Sequence, residues 1–191
     1  MKYVDHIVQL RNERKVIRSL SVGDYYPVRY YTSIGSKEDR LRKFIWKFKD
    51  GEYTDLNFNV LEELKRLLNS SHISIEDFVL IAIPASTIEK TKKRYEHFLP
   101  KLAEKINKKL SSNAITTQDH AELKGTTLSR VKHFYFTPEQ YRGKGVILFD
   151  DVITTGETFK QTAIKLLDSG AKNVIGIFIA RTVNKDGKFS N

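Results

Sequence analysis

The sequence predicts an α/β protein with a central parallel sheet and helices on both faces. Three observations carry this. Apolar runs of strand length occur at residues 78–84 (F-V-L-I-A-I-P), 146–149 (V-I-L-F) and 173–180 (N-V-I-G-I-F-I-A), as expected of strands buried on both faces. Before and between them, apolar residues recur at helical spacing: Leu56, Val60, Leu61, Leu64, Leu67 and Leu68; then Tyr95, Leu99, Leu102, Ile106 and Leu110; then Phe159, Ala163, Leu166 and Leu167. Strands alternating with helices form crossover units, which pair strands in parallel and put helices on the faces.

In chain order, residues 1–50 are the least decisive and read as an N-terminal extension or small hood. Residues 25–32 are aromatic-rich and read as a strand, with Pro27 at its start or on an edge. Residues 41–48 fit a strand or a short helix. Asp50-Gly51 is a turn signal, and residues 55–69 read as a helix. The strand at 78–84 runs into Ser86-Thr87-Ile88-Glu89, the pattern of a capping box. The long helix after it should be kinked or divided by Pro100; Lys101, Lys105 and Lys108 lie on its outer face, with Glu104 spaced to pair with Lys108. Residues 113–117 form a short strand candidate, and residues 118–140 a long polar, basic loop without period. Gly143-Lys144-Gly145 enters the next strand, Gly170 stops the helix after it, and the tail from Asn184 carries no core signal and is expected to be disordered. No internal repeat or linker divides the chain, so 1–191 reads as one domain.

The composition is globular: 40% hydrophobic and 29% charged residues over 191 positions. There is no cysteine, hence no disulfide, thiolate nucleophile or cysteine-bound zinc. No apolar run reaches membrane-spanning length and the N-terminus leads into no signal-like segment, so the expectation is a cytoplasmic protein without a membrane partner. The formal charge of +10 fits an anionic substrate or a nucleic-acid surface. The five histidines (His6, His72, His97, His120, His133) show no metal-ligand spacing; His120 and His133, flanking the basic loop, stand out most.

The chemistry concentrates in residues 146–158, V-I-L-F-D-D-V-I-T-T-G-E-T. A buried strand ends in Asp150 and Asp151, turns through Thr154, Thr155 and Gly156, and enters a helix by its positive end. Free N–H groups at a helix start hold phosphate without any cationic side chain. Gly156 allows close backbone approach, and the threonine hydroxyls add donors. Carboxylates at the C-terminal end of a strand accept hydrogen bonds from a ribose diol.

This run resembles the phosphoribosyl pyrophosphate (PRPP) signature of type I phosphoribosyltransferases. The resemblance implies that Asp150 and Asp151 hold the ribose hydroxyls, directly or through Mg²⁺-bound water, with no direct protein metal ligand. Thr154, Thr155, Gly156, Glu157 and Thr158 then hold the 5′-phosphate. It further implies a pyrophosphate loop after the first core strand, often with a non-proline cis peptide, here Ala85, Ser86 and Thr87 backed by Lys90 and Arg94. A closing loop falls at residues 124–132, with Arg130 or Lys132 reaching the pyrophosphate.

Within that family the chain resembles ComF-like members. Residues 41–51 (L-R-K-F-I-W-K-F-K-D-G) are similar to their L-R-x-x-I-x-x-F-K-x-x-G segment, and Ile83-Pro84 with Lys93-Arg94 to their strand end and basic pair. Departures are a single proline at 82–85, Arg94-Tyr95-Glu96-His97-Phe98 where a glycine-containing run stands in the group, and no counterpart of their cysteine zinc module.

The implied reaction is transfer of the phosphoribosyl group from Mg²⁺–PRPP to an unidentified nucleobase or amine, releasing pyrophosphate. Oxopurine-specific members carry an acid where this chain has Thr154, which argues against hypoxanthine or guanine. The alternative from another class is a PRPP- or nucleotide-binding regulatory or DNA-uptake protein without turnover. Weak, non-specific nucleic-acid binding is expected of the basic residues, and a homodimer is left open.

Overall fold

The computed structural model describes residues 2–11, 13–52, 59–118 and 130–188. The chain runs β1 (Lys2–Leu10), β2 (Glu13–Tyr25), α1 (Ser36–Lys49), α2 (Val60–Asn69), β3 (Phe78–Ala82), α3 (Ile88–Tyr95), α4 (Phe98–Lys105), β4 (Lys109–Leu110), β5 (Ile115–Thr117), β6 (Phe134–Phe136), β7 (Gly145–Ile153), α5 (Glu157–Asp168) and β8 (Asn173–Thr182). Short 3-10 turns lie at Arg130–His133 and Pro138–Gln140.

Six strands form the main sheet in the order β1-β2-β8-β7-β3-β4. β1 and β2 pair antiparallel, and every other neighbouring pair is parallel. The expected parallel α/β architecture is therefore present, with β7 and β8 at its centre. Along β7 the side chains alternate between two cores. Ile147 and Phe149 face the one shared with α1, α2, α3 and α4, while Val146 and Leu148 face the one shared with α5 and the β5–β6 hairpin. All four are fully buried, each contributing about 1.5–3 kcal/mol through burial.

Local departures from expectation have physical reasons. Residues 26–32 are not a strand: β2 stops at Tyr25, and the Pro27 carbonyl accepts the N–H groups of Tyr30 and Tyr31 in a turn. Residues 41–48 lie in a helix, because Leu41, Ile45 and Phe48 fall on one buried face. The helix expected from 55 begins at Val60, capped by the Asn59 side chain accepting from Glu62 N–H; residues 55–58 lie outside those described. Thr87, one residue later than expected, caps α3 by accepting from Lys90 N–H, while Ser86 is buried.

The long helix is divided at Glu96-His97. Pro100 sits in the first turn of α4, where its missing N–H has no intrahelical acceptor to lose. Leu110 belongs to edge strand β4 rather than to a helix. Lys108, past the end of α4, donates to the Glu76 carbonyl. β5 pairs with β6 in a separate two-stranded sheet, so the segment at 130–140 is not the featureless loop its composition implied. Residues 119–129 lie outside those described. Asn184 closes a turn with Asp186 and Lys188, and its carbonyl accepts from Tyr31 Oη, so the described part of the tail, 184–188, is tied down.

The topology locates a crevice. From β3 the chain moves outward to β4, whereas from β7 it moves the opposite way, to β8. The carboxyl ends of β3 and β7 thus flank a switch point, where α/β sheets bind ligands.

Candidate active site

β7 brings Asp150 and Asp151 to this switch point. The neighbouring end of β3 is tied to it: Ala82 pairs with Phe149, and Ile83 N–H donates to the Phe149 carbonyl at 2.9 Å. Asp150 is half-buried; its Oδ1 accepts from Tyr95 Oη at 2.9 Å and from Asp151 N–H at 2.8 Å. Asp151 is 5% exposed, and its Oδ1 accepts from Val152 N–H at 2.7 Å. Its buried Oδ2 has no hydrogen-bond partner. Lys49 Nζ and Arg94 Nη1 stand 3.6 and 3.9 Å away, as ion pairs just beyond hydrogen-bonding reach. Arg94 Nε is likewise buried without a partner.

Burial, with the Asp151 charge second, pushes the Asp150 carboxyl up to about 7, against the opposing pull of the Asp151 N–H, Arg94 and Tyr95. Burial and the two carboxylates push the Tyr95 phenol well above its usual range, so Tyr95 remains a hydrogen-bond donor.

The cations arrive through helix packing. Gly51, just after α1, has φ +74°, and a Cβ there would stand 2.7 Å from the Lys93 carbonyl. Glycine therefore permits the end of α1 to meet α3, which carries Lys49 and Arg94 to the same carboxylate. Phe48 seals the contact from inside, its ring 4.9 Å from Phe98 and 6.3 Å from Phe149.

Beyond β7, exposed Thr154 and Thr155 lead to buried Gly156, which begins α5 with φ +74° and no side-chain cap. The N–H groups of Glu157, Thr158 and Phe159 at the start of α5 have no helical acceptors; Glu157 N–H donates to Thr155 Oγ1 at 3.4 Å, and the helical ladder begins with Lys160 N–H on the Gly156 carbonyl. Thr154 Oγ1 bonds Thr182 Oγ1 at 2.9 Å, fixing the loop to β8. The Thr158 carbonyl accepts from Thr162 Oγ1. The Glu157 carboxylate accepts from Gln161 Nε2 at 2.6 Å and faces Lys160 at 3.5 Å, so it is engaged along its own helix. His6 of β1 lies against this loop: its Cε1 and Nδ1 are 3.1 and 3.6 Å from where a Gly156 Cβ would be.

On the β3 side, the Ala85 N–H is taken by Thr91 Oγ1 at 3.0 Å, and the described residues contain no cis peptide. Lys92 and Lys93 face Glu96 and Asp50, each at 3.8 Å. Arg130 opens a 3-10 turn, its side chain outside the described set, as are residues 124–129 of the expected closing loop. A cleft of about 790 Å³ opens between α3, the start of α4 and β5; Tyr95 lines it, whereas Asp150, Asp151, Arg94 and the loop at 154–158 do not.

The structure thus brings together Asp150, Asp151 and Arg94, adjoining the loop at 154–158 and the strand end carrying Ala85 and Ser86. Sequence reasoning missed three residues here. Lys49 was legible only as part of a turn-preceding segment, Tyr95 only as one apolar position on a helix. His6 carried no signal, because its place depends on a strand pairing remote in sequence.

No family model matches the chain, and no curated protein matches it. Among solved structures it is similar to the allosteric regulatory enzyme of purine biosynthesis, at 16% identity and a TM-score of 0.44, over 70% of this chain and 30% of that one. It is similar also to a hypoxanthine phosphoribosyltransferase from Staphylococcus aureus, at 13% identity and 0.40, over 73% and 75% of the two chains. A purine phosphoribosyltransferase from Pyrococcus horikoshii Ot3 matches at 14% identity and 0.34, over 87% and 95%. The chain spans less than a third of the first enzyme's length.

Proposed function

We propose that the protein is a phosphoribosyltransferase that binds Mg²⁺–PRPP and transfers its phosphoribosyl group to a nucleobase or amine, releasing pyrophosphate. One observation carries the reading: a carboxylate pair at a switch point, followed within one short loop by a helix start with uncapped N–H groups. Ribose hydroxyls and a phosphate five bonds or so apart need that combination, acceptors on one side and backbone donors on the other.

In this reading Asp150 and Asp151 accept from the ribose hydroxyls, and the loop at 154–158 holds the 5′-phosphate. The bond from the anomeric carbon to pyrophosphate breaks and its electron pair leaves with pyrophosphate. The acceptor nitrogen supplies the pair for the new bond and loses its proton. Charge develops positive on the sugar and negative on the leaving group. The carboxylates stabilise the first, and Arg94 and Lys49, held near Asp151, stabilise the second. Positioning and preorganised charge supply most of the rate.

Asp150 and Asp151 fit a magnesium ion that arrives with the substrate. Two carboxylates, one with a buried oxygen that accepts no hydrogen bond, leave acceptor capacity for metal-bound water. Such an ion supplies neutralisation of the pyrophosphate charge. The test is release of pyrophosphate from Mg²⁺–PRPP across a panel of nucleobases and amines. Release with one acceptor class supports the assignment; PRPP that neither binds nor is consumed overturns it.

A further inference from the structure

β1 is an edge strand whose inward face packs on α5. Strand alternation puts Val4, His6 and Val8 on that face, with Val8 buried in the α5-side core. His6 is the polar member of the stripe, its ring 5.4 Å from Phe159 in edge contact. Nε2 stands 2.8 Å from Ser19 Oγ, and the Ser19 hydroxyl donates to the Val4 carbonyl at 3.5 Å. In the imidazolium form Nε2–H donates to Ser19 Oγ, and the Ser19 hydroxyl passes its own hydrogen on to the Val4 carbonyl. Nδ1, which has no hydrogen-bond partner among the described residues, lies on the Gly156 side. The surroundings are cationic: Lys160 of α5 and Arg181 of β8 act on the ring, with Asp5 opposing them.

We propose that His6 is a phosphate-binding residue of the loop at 154–158, donating Nδ1–H to the phosphate as an imidazolium that forms when the ligand binds. This rests on the reading that the loop holds a 5′-phosphate. Without ligand, burial and then the charges of Lys160 and Arg181 hold the imidazole below its ordinary value and keep it neutral. A phosphate dianion beside Nδ1 reverses the electrostatic sign and favours the charged ring. Binding therefore takes up a proton, and affinity falls as pH rises through the ring's value in the complex. The N-terminal hairpin thereby becomes part of the ligand site, not only a sheet extension.

Ribose 5-phosphate is the probe, titrated at pH 7.5, where a phosphate monoester is already dianionic because its second ionisation lies near pH 6. Calorimetry in two buffers of different ionisation enthalpy should give net proton uptake. The His6 Cε1 proton signal should move towards its protonated position on binding. His6→Gln, which keeps a donor for Ser19, should bind about tenfold or more weakly, the loss of one charge-assisted hydrogen bond, and show no proton uptake. Binding to the native protein without uptake or a signal shift overturns the role of His6 and leaves the phosphate loop standing. These two readouts do not depend on the variant folding. No binding of ribose 5-phosphate to the native protein removes the loop reading and this proposal together.

Discussion

Tyr95 Oη donates to Asp150 Oδ1 at 2.9 Å, joining an aromatic core residue to an acid of the site. Tyr95→Phe keeps the ring among Phe48 and Phe149, 6.1 and 6.0 Å away, and deletes only the donor. The Tyr95 hydrogen bond lowers the Asp150 value, so its loss should raise that value further. The pH at which Mg²⁺–PRPP gives half its maximal thermal stabilisation should then move upward, with a loss of about 1 kcal/mol in the free protein. An unchanged midpoint would show that Tyr95 does not tune the acid.

Asp150→Asn should stabilise the free protein at alkaline pH. With a folded value of about 7 against an ordinary value of 3.8, the native state binds the extra proton between those limits. Stability therefore falls as pH rises from about 4 to about 7, and an ionised Asp150 destabilises the fold above that window. The asparagine still accepts from Tyr95 and carries no charge. At pH 8 it should be the more stable protein by roughly 2–4 kcal/mol, seen as a higher melting temperature, and the two should converge near pH 4. A lower melting temperature at pH 8 would mean the Asp150 charge is used structurally.

Asp151→Asn should act in the opposite direction. It leaves Lys49 and the largely buried Arg94 without their carboxylate, and should destabilise by roughly 1–3 kcal/mol at neutral pH. Both single variants should weaken stabilisation by Mg²⁺–PRPP, and the double variant should abolish most of it. A full thermal shift in the double variant would sink the ribose assignment.

The parts legible in the sequence were those fixed by local pattern. The apolar runs of β3, β7 and β8 announced the buried strands, and the D-D-V-I-T-T-G-E-T run located the acids and the helix start. Periodicity could not decide between strand and helix at 41–48, because eight residues with aromatics on several sides fit both. It missed the β1–β2 hairpin, whose outward residues Tyr3, Ile7 and Val16 are apolar and blur the alternation that marks a strand. Lys49, Tyr95 and His6 were missed for a different reason. Each reaches the site through a contact between elements far apart in sequence, and no local spacing encodes such a contact.

Gly51→Ala tests whether the meeting of α1 and α3 builds the site. The residue has φ +74°, and its new Cβ would meet the Lys93 carbonyl, which is backbone and cannot rotate away. Strain and displacement should cost about 1–3 kcal/mol. Lys49 and Arg94 lie within two residues of the contact, so stabilisation by inorganic pyrophosphate should drop more than that by ribose 5-phosphate. Equal losses for the two ligands would mean that the packing supports the fold without aiming the cations.

The net positive charge of the chain, +10, predicts how the protein meets nucleic acid. Much of the outer basic surface is answered within the protein: Lys105 pairs with Glu62, Lys108 donates to the Glu76 carbonyl, and Lys92 and Lys93 face Glu96 and Asp50. On the surface of α4 and β4, exposed Lys101 and Lys109 remain among the described residues, too few and with too little aromatic surface between them to stack bases. Single-stranded DNA should therefore bind weakly and without sequence preference. With about three phosphates neutralised, the slope of log affinity against log salt should be near −2. Titration at two salt concentrations, each with and without PRPP, separates the possibilities. Competition by PRPP would put the contact over the switch point, where Arg94 and Lys49 gather, and no competition would put it on the outer surface of α4. Tight binding that persists at high salt would overturn the view that this charge is non-specific.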